Sequence, residues 1–167
     1  LTFFAFSLFT GFPILIAVAI VSGCLTMIFF TKGVIETVKK LNWMPDIIHL
    51  HGWFTSLFPL YFKTLFSDDP VFDNSKIVSS IYNKSFEGSL SKKTIEKIQF
   101  DGIEEDISHI SSPDFNSLTD LMIKYSDSVI ISSDKIDKST LNSIKLHSKD
   151  SLSFKDSSGK SSIIDFV

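Results

Sequence analysis

The chain has 167 residues and a net charge of −3, with apolar residues at 44% and aromatics at 13%, 17 of them Phe. That length gives room for one domain of ordinary size and excludes a two-domain enzyme, while the apolar content argues against a disordered chain. All 16 basic residues are Lys, and with a pI near 5.8 the forked donors and positive surface used to read nucleic acid are missing. The single cysteine, Cys24, excludes an intramolecular disulfide framework and a cysteine-based zinc site.

Residues 1–31 carry no Asp, Glu, Lys, Arg or His, and an uncharged run of that length exceeds the roughly 20 apolar residues that cross a bilayer. Read alone the segment is a transmembrane helix, with Lys32, Lys39 and Lys40 holding the domain after it on the cytoplasmic side. The opening on Leu without a preceding charge does not suit a signal peptide and reads as an incomplete or mistranslated start. An apolar run with no polar face is expected to stay outside the core of the domain. The chain thus divides into an apolar segment at 1–31, an α/β domain at 32–145 and a polar C-terminal tail at 146–167.

Beyond residue 31, Phe30, Val34, Val38 and Leu41 recur at helical spacing, with Glu36 and Lys40 paired at i, i+4. This helix should end before Pro45. The run Asp46 to His51 is apolar and β-branched and stops at Gly52; residues 53–66 then have the length of a helix, with Pro59 either kinking it or lying in its first turn. A loop over 67–75 leads to a second strand at 76–81, a loop over 82–90, a charged helix over 91–100 and a weaker helix near 117–125. A third strand at 128–131 and a helix near 134–145 complete the pattern. Three short strands separated by helices predict a Rossmann-like parallel α/β sheet with flanking helices. Ligands in such sheets bind beyond the carboxyl ends of the strands, after Leu50, Ile81 and Ile131.

The segment from Leu41 to Lys63 resembles the W-x-P-D-I/V-I/V-H-x-H-D/G-W-x-A/T-x-L-x-P stretch of bacterial glycogen and starch synthases, the family 5 glycosyltransferases. Residues 76–90 fall where that family has its next strand and a T-I/V-H-N-x-x-Y/F-x-G loop, and 124–133 is similar to its following strand. The resemblance covers roughly residues 28–138. It implies part of the N-terminal Rossmann-like domain of a glycosyltransferase-B fold. The implied activity is transfer of glucose from ADP-glucose or UDP-glucose to the non-reducing end of an α-1,4-glucan, with retention, in the cytoplasm and with no separate cofactor. The family's K-x-G-G-L loop and its second Rossmann domain have no counterpart in these 167 residues. Gly52 stands where Asp is commoner and Tyr82 where His is usual, changes similar to those of short, single-domain glycogen synthases of the Bacteroidetes type. The competing readings are a membrane-anchored, non-catalytic sugar-binding or interaction domain, and an inactive fragment.

His51 and Gly52 end a strand and open a helical segment, where free N–H groups would favour an anionic or hydroxyl-rich ligand. Trp53 offers a platform for a sugar ring, and Tyr82 and Asn83 offer a phenol and an amide for sugar hydroxyls. These five form the expected substrate site, with Trp53 and Tyr82 near one another at one rim; no residue stands out as a nucleophile. His49 is expected to be buried and to face away from His51, which argues against a metal site. Glu104, Glu105 and Asp106 read as a solvated loop, and His109 and His147 as surface residues.

Overall fold

A computed structural model of the chain describes residues 26–83, 85–103, 107, 110, 113–147 and 149–153. Four strands form one sheet in the order β1 (Ile47–His51), β2 (Lys76–Ile81), β3 (Ser128–Ile131) and β4 (Asp150–Leu152). Every pairing is parallel, so each connection must cross over, and helices α3 (Lys93–Phe100), α4 (Phe115–Tyr125) and α5 (Lys138–Leu146) lie in those crossovers. The expected parallel sheet and its first three strands are present. The fourth strand lies in what reads as a polar tail, where Asp150 and Leu152 pair with Ser128 and Ile130.

Register divides the sheet into two faces. Ile48, Leu50, Ile77, Ile81, Val129 and Ile131 share one, since paired residues of parallel strands point the same way. Leu50 and Ile77 bury against Ile35, Phe58, Phe62 and Met122, while Ile81 and Val129 bury against Ile123 and Ile144. His49, His51, Val78, Ser80 and Ile130 occupy the opposite face.

Helix α1 covers residues 26–40 among those described. Its buried positions are Ile28, Thr31 and Ile35, spaced by three and four residues, with Met27 beside Ile28 on the same side, whereas Phe30 and Leu41 are exposed. The expected stripe holds at its centre, where Val34 and Val38 are half-buried on the core beside Ile35, and fails at its ends: around Phe29 and Phe30 both sides of the helix are apolar, and periodicity cannot choose between them. Met27 and Ile28 join Leu57, Leu60, Tyr61, Ile98 and Leu121 in the largest core cluster. This corrects the expectation that residues 1–31 stay outside the core, at least for its last turn; Ile14 to Val21 lie outside the described residues. Among the described residues no helix is long and apolar enough to cross a membrane. The anticipated Glu36 to Lys40 pair is replaced by Lys39, which lies 3.9 Å from Glu36 and 2.9 Å from Asp69.

The expected long helix after Gly52 is broken into three pieces. Trp53–Thr55 is a 3₁₀ turn, α2 is Leu57–Tyr61, and Phe62–Phe66 is a π turn. Pro59, in the first turn of α2, has no N–H to give to the Thr55 carbonyl, so an α-helical ladder cannot run through both segments. The Thr64 hydroxyl donates to the Leu60 carbonyl at 2.7 Å, within the stretch that winds more loosely.

Two carboxylates tie the layers together. Asp127, just before β3, accepts from the Ile77 N–H at 2.7 Å and pairs with Lys63 at 3.0 Å, joining the starts of β2 and β3 to the π turn. Asp101, with a side chain only 5% exposed, accepts from Lys32, Tyr61 and Lys97, one residue each from α1, α2 and α3. Burial alone would raise its pKa, but hydrogen bonds from Lys97, Tyr61 and Lys32 outweigh that and hold it below the usual carboxylate range. Burial and then the bond to Asp101 push the Tyr61 phenol far upward, so it stays a donor.

Candidate functional site at the carboxyl ends of the strands

β1 ends at His51 and β2 at Ile81, so residues 51–53 and 82–83 leave the sheet side by side at its carboxyl edge. His51 Nδ1 and the Tyr82 hydroxyl are hydrogen-bonded at 3.0 Å, their ring centroids 6.3 Å apart. The His49 and His51 rings lie 4.2 Å apart, because residues two apart in a strand share a face. This corrects the expectation that they face opposite sides. His49 is exposed rather than buried, and its Nε2 is 2.8 Å from the Ser80 hydroxyl. Partial desolvation of the His49 ring, then repulsion from His51, lowers its pKa below 6.5. Among the described residues no group of three or more His, Cys, Asp or Glu side chains is placed to hold a metal ion.

Gly52 has φ +72° and ψ 176°, a conformation that residues with a Cβ rarely adopt. A Cβ there would meet only the Tyr82 ring, at 4.0 Å, so it is the backbone and not space that calls for glycine. Its N–H is not free for a ligand: it donates to the Ser80 carbonyl at 3.1 Å and extends the β1–β2 ladder by one bond. The carbonyl accepts from the Thr55 N–H and hydroxyl, closing the turn. With only three residues of 3₁₀ turn following, the anticipated helix N-terminus is absent.

Trp53 is half-buried, packed on the core cluster and on Phe86 at a centroid distance of 4.8 Å, with Phe54 edge-on at 6.0 Å. Asn83 is exposed, and its backbone N–H donates to the Ser133 hydroxyl at 2.9 Å, linking the loops after β2 and β3. His147, expected at the surface, is half-buried and 3.1 Å from Asp120. Glu104, Glu105, Asp106 and His109 lie outside the described residues.

Sequence reasoning missed the part played by Phe86. Its ring packs against Trp53, tilted by 54°, and meets Phe115 edge-on at 6.0 Å, so it joins the turn after β1 to the start of α4. The available signal was its place in the loop motif that begins at Tyr82.

The starch synthase catalytic domain family matches residues 21–147. Glycogen synthase of Chlorobium luteolum is 41% identical over 95 residues, which cover 55% of this chain and 19% of that protein. Glycogen synthase of Clostridium perfringens is 40% identical over 70 residues, covering 42% and 14%. The catalytic domain of starch synthase IV from Arabidopsis thaliana, solved bound to ADP and acarbose, superposes with a TM-score of 0.58 at 17% identity over 79% of this chain and 29% of that one. The chain thus spans about a fifth of the length of the Chlorobium relative. With the fold shared and the match running through all of β1 to β3, the chain belongs to the starch synthase catalytic domain family.

Proposed function

We propose that the chain forms part of a glycogen or starch synthase that moves glucose from ADP-glucose or UDP-glucose to the non-reducing end of an α-1,4-glucan, retaining the anomeric configuration, in the cytoplasm. The observation that carries this reading is the family match over residues 21–147. It is supported by the position of His51, Gly52, Tyr82 and Asn83 at the carboxyl edge of a parallel sheet, the edge at which such sheets bind ligands. In the starch synthase IV structure the bound molecules are ADP and acarbose, a nucleotide and an oligosaccharide analogue, which suits a sugar-nucleotide donor and a glucan acceptor.

On this reading His51 and Tyr82 present an imidazole and a phenol to sugar hydroxyls, and Asn83 adds an amide. Gly52 keeps the rim free of a side chain, and Trp53 anchors the turn after β1 against Phe86. Transfer then depends on holding the donor sugar against the acceptor and stabilising the departing diphosphate, tasks of position and electrostatics rather than of a strong base. No catalytic residue is assigned within the chain.

Replacing the matching segment of the Chlorobium luteolum glycogen synthase with residues 21–147 tests the proposal. The chimera should transfer labelled glucose to glycogen from one of the two nucleotide sugars, with product sensitive to α-amylase. A folded chimera that transfers from neither contradicts it.

A further inference from the structure

The strand period sets two imidazoles side by side on one face of β1. His49 and His51 are both exposed, and their ring centroids lie 4.2 Å apart with the planes tilted by 39°. Two imidazoles bound to one zinc-type ion have ring centres roughly 4.5–5.2 Å apart, given metal–nitrogen bonds of about 2.1 Å and bond angles between square and tetrahedral. A small opening of the observed tilt brings the pair into that range. The expectation of no metal site requires the two rings to face apart, which they do not.

The hydrogen bonds around the pair engage one nitrogen of each ring and leave the other. In register His49 lies beside Val78 and His51 beside Ser80, yet each ring bonds to the residue two further along the chain from its partner. His49 Nε2 is 2.8 Å from the Ser80 hydroxyl, and His51 Nδ1 is 3.0 Å from the Tyr82 hydroxyl. With the ring N–H donating to the hydroxyl oxygen in both bonds, Nδ1 of His49 and Nε2 of His51 keep their lone pairs. A ring N–H donated to a fixed oxygen is the arrangement that orients metal-bound histidines and makes their other nitrogen more basic. Ser80 is buried, so the sheet itself holds one of the two anchors. Two imidazole nitrogens also select by softness: they suit zinc, copper and nickel, whereas magnesium and calcium take oxygen ligands.

We propose that His49 and His51 form a bidentate site for a divalent cation of the zinc class, with Ser80 and Tyr82 orienting the two rings and water completing the shell. A cation held there occupies Nε2 of His51 and excludes a sugar hydroxyl from that nitrogen; only this consequence rests on the transferase reading.

Calorimetric titration of the full chain with zinc chloride at about pH 7.5, where imidazole is neutral, tests the site. A Cys24→Ser background keeps the one thiol from competing. One equivalent of Zn²⁺ should bind, Mg²⁺ at the same concentration should not, and long-range proton–nitrogen NMR spectra should show Zn²⁺ shifting Nδ1 of His49 and Nε2 of His51. His49→Gln and His51→Gln should each weaken binding at least about tenfold with the circular dichroism spectrum unchanged, while His147→Gln leaves it as it was. Absence of Zn²⁺ binding by the folded chain overturns the proposal, as does binding insensitive to both substitutions or equal binding of Mg²⁺. In the Chlorobium chimera Zn²⁺ should inhibit transfer and His49→Gln should relieve that inhibition; inhibition that persists in full contradicts the exclusion. The two readings fail separately: a folded chimera that is inactive without metal refutes the transferase assignment while the titration still decides the site, and an active chimera whose chain binds no Zn²⁺ refutes the site.

Discussion

His51 and Tyr82 close the gap between the ends of β1 and β2 by a single imidazole to phenol hydrogen bond of 3.0 Å. They lie 31 residues apart in the chain and meet because parallel pairing sets His51 beside Ser80, two residues before Tyr82. The bond orients both groups at the edge where the candidate site opens, and it does so on an exposed surface. Its value therefore lies in positioning more than in stability.

Tyr82→Phe should separate those two contributions. Removing one exposed hydrogen bond costs about 0.5 kcal/mol, the low end of the usual range, so the urea midpoint should move little. In the synthase chimera the same change frees the imidazole and should lower kcat/KM. A large loss of stability would show that the bond is part of the packing.

Gly52→Ala should destabilise the chain by about 1–3 kcal/mol, the cost of forcing a Cβ into this region of backbone space. The nearest neighbour at 4.0 Å adds no clash. Urea unfolding measures the effect, and an alanine variant as stable as the parent would contradict the observed φ of +72°.

Stability should fall as pH drops below about 6.5, with His49 as a source. Its folded pKa lies below the unfolded value of 6.5, so the unfolded chain binds the proton more readily. The folded state is unpenalised above 6.5 and loses stability as pH falls from 6.5 toward the folded pKa. His49→Gln should flatten this part of the profile. Asp101 acts in a lower window: with its pKa held below 3.8, its contribution is present above that value and is lost on further acidification.

Met27→Ala should cost about 2–5 kcal/mol, the usual range for deleting a buried long side chain. Thermal or urea unfolding decides this, and a change below about 0.5 kcal/mol would return Met27 to the exterior.

Each element was legible in the sequence to the extent that its signal is local. β1, β2 and β3 announce themselves as β-branched apolar runs ended by turn residues, and their parallel pairing follows from the helices between them. β4 is a three-residue edge strand whose first two members, Asp150 and Ser151, are exposed, so it has no apolar run to read. The core-facing side of α1 was legible at Val34 and Val38 and hidden at Phe30, where an apolar surface extends beyond the stripe formed by Met27, Thr31 and Ile35. The pairing of His49 with His51 on one face follows directly from the two-residue repeat of a strand. At the site, the residue types at positions 51–53 and 82–83 were legible from the motif. That the Gly52 N–H is spent on Ser80, and that Phe86 backs Trp53, depends on contacts between segments far apart in sequence.

The central claim, that the His51–Tyr82 rim works on the substrate of a glucosyl transferase, is tested most directly by kcat/KM for glycogen elongation in the Chlorobium chimera with and without His51→Gln. An unchanged circular dichroism spectrum and urea midpoint would establish that both proteins are folded alike. The predicted result is transfer by the parent chimera and a fall of at least about tenfold with His51→Gln, roughly 1.4 kcal/mol of lost transition-state stabilisation. Equal kcat/KM in the two folded proteins would contradict the claim.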